Sequence, residues 1–287
     1  MIEVTKELLK KVYPKRPQVA KKYEYGLLTI IGGSEFYSGS PALSALAAFR
    51  AGVDMAKIIA PKRAADIIAT FSPNLAAYSI KSEHITKKNV ATLLEQVESA
   101  EAVSNGKTAV VIGGGMGRSA EIQEAILEFL SQNSVPCVID ADAIHAVAKK
   151  PNMISGKKIL ATPHSYEFFL LTGNEVDNLS EEEKIKLVQR EAKRLKITIL
   201  LKGGVDIISD GSEIGLNKTG TSFLTVGGTG DTLAGIAGAV LARGFSPFDA
   251  ACAAAYINGL SGEIAAKKFG ESLTATDLIE AIPEAIK

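Results

Sequence analysis

The chain has 287 residues, which is enough for one large domain with a sizeable buried core or for two small domains. Its 32 basic residues balance its 32 acidic residues, so no overall field attracts nucleic acid, and the absence of tryptophan argues against a base-stacking surface. No run reaches the ~18 apolar residues of a membrane span. Cys137 and Cys252 lie in apolar stretches and are interpreted as reduced core residues. Because the N-terminus also has no apolar signal core, we expect a cytoplasmic protein.

Strand and helix patterns alternate along the chain, beginning with an amphipathic helix at 3–13. Strands are predicted at 27–31, 55–60, 109–112, 135–139, 158–161 and 197–201, with a hairpin at 206–216. Helices are predicted at 41–50, 63–69, 85–103, 120–130, 180–195, 233–242, 247–268 and 275–286. No linker, repeat or composition break divides the chain, so we expect one α/β domain over residues 1–287.

Two of the predicted strands run directly into glycine-rich loops. The strand at 27–31 leads into Gly32-Gly33-Ser34, and the strand at 109–112 leads into Gly113-Gly-Gly-Met-Gly117. Such loops place a ligand at the carboxyl edge of a parallel sheet. The first is not a Walker loop, because no Gly-Lys-Ser/Thr closes it. The second, with Asp140 further on, imitates a dinucleotide-binding fingerprint, but the pattern fails when counted from Gly113, so the ligand stays open.

Polar side chains follow three further strands. Asp140 and Asp142 come after the strand at 135–139, where an acid faces a ligand or metal, although Asp142 is equally placed to cap a helix. Thr162-Pro163-His164 with Glu167 forms a helix-start pattern, in which Glu167 is a first-turn acid. The three histidines lack metal-ligand spacing, which argues against a zinc site. Lys202, next to two glycines, suits phosphate.

The stretch from Val226 to Gly235 places Asp231 among glycines at the start of a small-residue helix. A helix N-terminus with close backbone approach favours phosphate, whereas a carboxylate repels it unless the carboxylate takes a proton or holds a metal. Two interpretations stay open at this point. Asp231 is either a functional acid or an ordinary N-cap.

The motifs together resemble the NAD(P)H-hydrate dehydratases, the carbohydrate-kinase-like repair proteins, from about residue 25 to the C-terminus. The resemblance rests on the order of Gly32-Gly33-Ser34 with Tyr37-Ser38-Gly39, Ile112-Gly113 to Gly117, Asp140-Ala-Asp142-Ala, Thr162-Pro163-His164 with Glu167-Phe168, Leu201-Lys202-Gly203 and Gly227-Gly228-Thr229-Gly230-Asp231. It implies a ribokinase-like three-layer α/β/α fold with a central, mostly parallel sheet. One departure is Gly114, where relatives usually have proline.

The resemblance also implies an activity, the ADP-dependent dehydration of (6S)-NADHX or NADPHX to NADH or NADPH with release of AMP and phosphate. ADP or ATP would be the phosphoryl donor and Mg²⁺ the metal. Asp231 would be the catalytic base. Ser40, Gly117, His164 and Asp231 would contact the substrate, and Lys202, Gly203, Gly204, Val205, Asp206 and Gly230 would bind the nucleotide. Glu167 would be an outer-shell metal ligand.

The family further implies a homo-oligomer, a tetramer, that works with a separate NAD(P)HX epimerase, since no epimerase domain is expected within this sequence. Three alternatives stay open. A ribokinase-fold kinase of a thiazole or pyrimidine alcohol would share the Gly-x-Gly-Asp chemistry but leaves the Thr162–Glu167 pattern unexplained. An NAD-dependent oxidoreductase rests on the loop at 113–117 and leaves Asp231 without a role. A non-catalytic nucleotide sensor would not need a catalytic base such as Asp231.

Overall fold

The computed structural model describes residues 1–287 and contains ten strands and eleven α-helices. The strands are β1 (Ile2–Glu3), β2 (Leu27–Ile31), β3 (Met55–Pro61), β4 (Ala76–Ile80), β5 (Thr108–Ile112), β6 (Cys137–Ile139), β7 (Ile159–Ala161), β8 (Thr198–Leu201), β9 (Asp206–Ser209) and β10 (Ile214–Asn217). The helices are α1 (Lys6–Val12), α2 (Gly39–Arg50), α3 (Lys62–Phe71), α4 (Val90–Val103), α5 (Ala120–Gln132), α6 (Asp142–Val147), α7 (Ser165–Thr172), α8 (Glu181–Leu195), α9 (Thr229–Ala242), α10 (Pro247–Phe269) and α11 (Ala275–Ile286).

All ten strands form one sheet in the order β1-β10-β9-β8-β7-β6-β5-β2-β3-β4. Pairing is parallel from β4 through to β8, and β9 pairs antiparallel with both β8 and β10. The chain builds the sheet outward from its middle, because β2, β3 and β4 extend in one direction and β5 to β8 in the other. The switch point is therefore between β2 and β5, and ligands of open parallel sheets bind beyond the carboxyl ends of the strands at such a point.

Two apolar clusters cover the two faces of the sheet. Successive strand residues point to opposite faces, so Ile30 belongs to the cluster under α2, α9, α10 and α11, while Ile31 belongs to the cluster under α4 to α8. The buried strands are nearly continuous runs of Val, Ile, Leu and Ala, as a sheet covered on both faces requires. The predicted α/β class and three-layer architecture are confirmed. No helix combines the length and apolar character needed to span a membrane.

Some predicted boundaries are wrong. The small-residue helix begins at Thr229 and not at 233, and the helix predicted at 85–103 is a short 3₁₀ turn followed by α4. The strands β1 and β4 were not predicted. β1 has only two residues, and β4 is an edge strand whose sequence, Ala-Ala-Tyr-Ser-Ile, lacks the apolar run of the central strands.

Helix α9 packs unusually close to its neighbours because it is built from small residues. A Cβ on Gly235 would come within 2.8 Å of the Cα of Ser44 on α2, and a Cβ on Gly238 would come within 2.5 Å of Val111 on β5. Glycine inside a helix costs about 1 kcal/mol relative to alanine, so its presence here is explained by this contact. The close approach fixes α9 against both α2 and the sheet.

We therefore expect Gly235→Ala to destabilise the protein by about 1–3 kcal/mol, because the added methyl group overlaps backbone that cannot move aside cheaply. Urea unfolding followed by circular dichroism measures the change. Gly39→Ala is the matched control, since a Cβ on Gly39 meets nothing within 4 Å and that helical residue has no positive φ. A Gly235→Ala variant as stable as the control would contradict the packing argument.

Candidate active site

The two glycine loops meet at the switch point between β2 and β5. The amide of Gly33 donates a hydrogen bond of 2.8 Å to the carbonyl oxygen of Gly114. A Cβ on Gly32 would lie 2.6 Å from that same oxygen, so only glycine allows the loops to approach this closely. The loops form the floor of a small site that is also lined by Ser40 and Asp231.

Asp231 lies in the first turn of α9 and faces the first turn of α2. The Ser40 hydroxyl donates a hydrogen bond to its carboxylate, and the Ser44 hydroxyl donates to its carbonyl oxygen at 2.9 Å. The interpretation of Asp231 as an N-cap is wrong, because Gly228, with φ +99°, occupies that position. The carboxylate is thus free of any capping role and lies across the gap between two helices.

Burial raises the pKa of Asp231 to about 6. The hydrogen bond from Ser40 and the charge of Lys202 stabilise the ionised form and lower the pKa, whereas repulsion from Asp140 raises it. A carboxylate with this pKa is ionised at neutral pH but is a better proton acceptor than an ordinary aspartate. Perturbed groups of this kind in a cleft are candidates for acid–base chemistry.

Lys202, at the end of β8, is the cation at the centre of the site. Its Nζ lies 3.1 Å from Oδ1 of Asp140 and 3.7 Å from Oε2 of Glu167. Asp140 is itself buried and accepts a hydrogen bond of 2.8 Å from the Thr162 hydroxyl. Burial opposes the charge of Lys202, but the two carboxylates outweigh burial and raise its pKa. Asp140, which the sequence predicts to face a ligand or metal, instead pairs with Lys202 and Thr162 at the centre of the site.

His164 and Glu167 form the start of α7. The amide of His164 donates to Oε2 of Glu167 at 3.0 Å, while Nδ1 of His164 accepts from the amides of Tyr166 and Glu167. This reciprocal capping box confirms the predicted helix start, with His164 as the N-cap. The half-exposed imidazole ring also reaches the neighbouring cleft.

No group of three or more His, Cys, Asp or Glu side chains is arranged to hold a metal ion. Glu167 is buried, and its carboxylate already accepts from the His164 amide. It also lies close to Lys202. Mg²⁺ usually keeps several waters and binds through substrate phosphates with one or two carboxylates. The residues present would suit a Mg²⁺ ion that arrives with a phosphate ligand rather than an ion held in a protein cage.

A cleft of about 790 Å³ opens beside Lys202 and the first turn of α9. Four of the predicted nucleotide-binding residues besides Lys202 line it, namely Gly203, Gly204, Asp206 and Gly230. Val205 does not line it and packs half-buried against the core instead. The opposite wall is formed by residues 219–229, together with Asn258 and Gly259 on α10. Sequence reasoning missed the part of this wall at 219–225, because those residues carry no motif.

Gly117 is held at the other end of the site. Its amide donates to Asp142 at 2.8 Å, and Nε of Arg118 donates to the second carboxylate oxygen at the same distance. Asp142 therefore anchors the loop at 113–118 and does not cap α6. With its amide committed, Gly117 is left with its Cα and carbonyl for any ligand contact.

Known proteins share this sequence along most of its length. The model of the NAD(P)H-hydrate dehydratase family matches residues 28–284. The chain belongs to this family. It is 36% identical to the ADP-dependent (S)-NAD(P)H-hydrate dehydratase of Nitrosopumilus maritimus, over 99% of this chain and 96% of the relative, and 38% identical to that of Cenarchaeum symbiosum, over 97% and 94%. It is also 40% identical to the bifunctional NAD(P)H-hydrate repair enzyme of Hyperthermus butylicus, over 93% of this chain but 49% of the relative. The chain thus spans about half the length of the bifunctional relatives.

Solved structures agree with the fold of this dehydratase family member. A ribokinase-like superfamily protein from Enterococcus faecalis superposes with a TM-score of 0.83 at 25% identity, covering 99% of this chain and 94% of the other. The ADP/ATP-dependent NAD(P)H-hydrate dehydratase of Bacillus subtilis, co-crystallised with ATP and Mg²⁺, superposes with a TM-score of 0.76 at 23% identity, covering 98% and 96%. The ribokinase-like fold implied by the resemblance is confirmed.

The raised pKa of Asp231 has a consequence for stability. The unfolded carboxyl group has a pKa near 3.9 and the folded group one of about 6, so its charge is penalised only in the folded protein. This penalty is absent below pH ~4, grows as pH rises through 6 and is complete above it. Asp231→Asn, which keeps the acceptor for Ser40, should therefore raise the free energy of unfolding at pH 7.5 by up to about 3 kcal/mol.

Urea unfolding at pH 7.5 and at pH 4.5 measures this effect, and the gain from Asp231→Asn should be smaller at pH 4.5. Asp66→Asn is the control, because Asp66 is exposed on α3 and pairs only with Lys62; its effect should stay within about 0.5 kcal/mol. A loss of stability in Asp231→Asn at pH 7.5 would show that burial does not strain this carboxylate.

Proposed function

We propose that the chain catalyses the ADP-dependent dehydration of (6S)-NADHX or (6S)-NADPHX to NADH or NADPH, with release of AMP and phosphate. One observation carries the proposal. Asp231 pairs with Ser40 on one side of the first turn of α9, while Gly230, the residue before it, lines the large cleft on the other side. Acceptor and donor sites thus share one helical turn. The names of the relatives covered over nearly their full length support this reaction.

The first step concerns the proton of the substrate. The hydrate carries a hydroxyl group on C6 of the ring, and hydroxide is a poor leaving group. Asp231 takes the hydroxyl proton as the oxygen attacks the terminal phosphorus of ADP, the bond to AMP breaks, and a phosphate ester forms. The pKa of about 6 places this carboxylate close to the neutral pH at which it works.

The second requirement is stabilisation of the charge on the transferred phosphoryl group. Gly228, Thr229 and Gly230 bring unpaired amides and the positive end of the α9 dipole to the cleft. Lys202 lies at its edge with a raised pKa and is therefore charged throughout the working range. Mg²⁺ bound to the nucleotide would neutralise further phosphate charge. Such preorganised groups stabilise charge as it develops.

The last step removes the phosphate. The lone pair of the ring nitrogen displaces phosphate from C6, and loss of a proton from C5 restores the double bond. The whole sequence converts hydrate and ADP into the reduced nucleotide, AMP and phosphate. His164, exposed at the mouth of the cleft, and Gly117, on the loop beyond Asp142, are proposed to position the substrate.

Several finer points belong to the proposal. ADP is favoured as the donor by the names of the full-length archaeal relatives, whereas the Bacillus subtilis protein is named for both nucleotides. The names of the bifunctional relatives prompt the proposal that the reaction is coupled to an NAD(P)HX epimerase. A tetrameric assembly stays a prediction. A thiazole kinase from Pyrococcus horikoshii shares the fold at a TM-score of 0.63 and 18% identity, so a kinase activity is the second candidate to test.

The proposed reaction predicts recovery of NADH absorbance when the protein is incubated with NADHX, ADP and Mg²⁺. Asp231→Asn should lower kcat by about 10²–10⁴-fold, because it removes the base but keeps the nucleotide cleft. In the wild type, kcat/KM should fall as pH drops through about 6.

Asp66→Asn serves as a control carboxylate, since Asp66 is exposed on α3 and pairs only with Lys62. Failure of ADP and of ATP alike to restore NADH would refute the dehydratase proposal. Phosphorylation of a hydroxyethylthiazole instead would support the kinase.

Lys202 gives an independent prediction. Lys202→Ala should weaken binding of ADP by at least about tenfold, since a charge-assisted contact to phosphate is lost. Isothermal titration calorimetry measures the affinity, and Lys218→Ala, an exposed lysine paired with Glu3, is the control. Unchanged ADP affinity in Lys202→Ala would restrict this lysine to neutralising Asp140 and Glu167.

A further inference from the structure

A second cleft, of about 320 Å³, lies at the opposite end of the helices that carry the active site. Three arginines line it, namely Arg16 after α1, Arg50 at the end of α2 and Arg243 immediately after α9, and no acidic side chain does. The remaining lining residues are Tyr13, Pro14, Ala51, Gly52, Pro283 and Ile286. Arg16 and Arg50 pair with Asp54 and Glu280 outside the cleft lining, whereas Arg243 has no acidic partner, so one positive charge in this concave site is uncompensated.

Arg243 is the least satisfied of the three arginines. Its Nη2 donates to the carbonyl oxygen of Val12 at 2.7 Å, but its buried Nε has no hydrogen-bond partner, and the guanidinium takes part in no salt bridge. The side chain lies over the rings of Tyr13 and Tyr25, at 4.6 and 5.4 Å from their centroids. Leaving a charged donor buried and unpaired is costly, so its retention calls for a ligand.

The other two arginines already have partners, and the Arg16 guanidinium also lies 3.6 Å from the centroid of the Tyr25 ring. Arg16 donates to the Gly52 carbonyl at 2.9 Å and lies 3.3 Å from Asp54, while Arg50 lies 3.1 Å from the exposed Glu280. Nη1 of Arg243 and Nη2 of Arg16 lie 3.1 and 4.0 Å from the position that a Cβ on Gly52 would take. The donors of both arginines therefore converge on the space above Gly52.

Helix-end electrostatics explain only part of this arrangement. Arg50 and Arg243 stand at the C-termini of α2 and α9, where cations offset the negative end of the helix dipole. That role accounts neither for Arg16, which comes from the segment after α1, nor for the orphaned Nε of Arg243. Nη2 of Arg16 already donates to the Gly52 carbonyl, so Nη1 of Arg243 is the donor with no partner there, and clustered guanidinium groups are a common means of binding phosphate and carboxylate groups.

We propose that Arg16, Arg50 and Arg243 form a binding site for a phosphate-bearing, multiply charged small anion, separate from the nucleotide cleft. The anion would accept from the free guanidinium donors above Gly52 and would join the segment after α1 to the ends of α2 and α9. The site does not depend on the reaction proposed above.

The position of this cleft connects it to the active site through α2 and α9. Helices α2 and α9 run parallel, because their first turns hold Ser40 and Asp231 together while their last turns end at Arg50 and Arg243. They have 12 and 14 residues, so the two sites lie roughly 20 Å apart. An anion that bridges the far ends fixes the spacing of the two helices that present the catalytic pair.

Titration with inorganic pyrophosphate, followed by NMR, tests the proposal. The amides of Gly52 and Gly230 report separately on the arginine cleft and on the nucleotide cleft, so binding at one is not mistaken for binding at the other. We expect the Gly52 amide to titrate in the wild type. Its apparent affinity should fall by at least about tenfold in both Arg243→Gln and Arg16→Gln.

Arg63→Gln is the matched control, because it removes the same charge from an exposed site on α3 and should leave the Gly52 titration unchanged. Arg16 is largely outside the core, so Arg16→Gln decides the matter if Arg243→Gln does not fold. The proposal is overturned if pyrophosphate moves only Gly230. It is equally overturned if sodium chloride at matched ionic strength moves Gly52 as far, or if Arg63→Gln weakens the titration as much as Arg16→Gln.

Discussion

Lys202 is the one cation among three buried or half-buried carboxylates at the carboxyl edge of the sheet. Its Nζ is within 3.7 Å of both Asp140 and Glu167, and its charge also acts on Asp231. Without it, these acids would share a poorly solvated site with no opposite charge to compensate them. The loops that end β6, β7 and β8 thus depend on a single ammonium group. The proposed nucleotide would add more negative charge here, and the amides at the start of α9 face that position.

The first turn of α9 explains why an acid is found inside a phosphate-binding motif. Gly230 faces the nucleotide cleft, and Asp231, one residue further, faces Ser40 on α2. Successive helical residues rise by 1.5 Å and turn by about 100°, so residues 230 and 231 face different sides of one turn. Glycine at 228 allows the positive φ that starts the turn, and the Asp231 carboxylate accepts from Ser40 and does not line the cleft.

The sequence predicted the parts of the site that lie next to one another in the chain. Glycine loops after apolar strands and a capping pattern at His164 are local signals, and the structure confirms them. The role of Asp140 was not visible, because its partners Thr162 and Lys202 lie 22 and 62 residues away and meet it only when β6, β7 and β8 align. The start of α9 was placed too late, since glycines disfavour a helix locally, whereas packing against α2 stabilises it. Residues 219–225, most of which line the cleft, carry no local signal.

The close contact of α2 with α9 connects these observations. Gly235 lets the two backbones approach, and Ser44 on α2 bonds the carbonyl of Asp231 directly. Packed helices shift as rigid bodies with few alternative arrangements, so their spacing at one end constrains their spacing at the other. The geometry of the Ser40–Asp231 pair is therefore set partly where the same helices end, among the arginines around Gly52. A bulky residue at position 235 would change the helix spacing close to the Ser40–Asp231 pair. An uncompensated charge at position 243 would change the spacing at the far end of the same helices. Both changes would alter the hydrogen bond between Ser40 and Asp231.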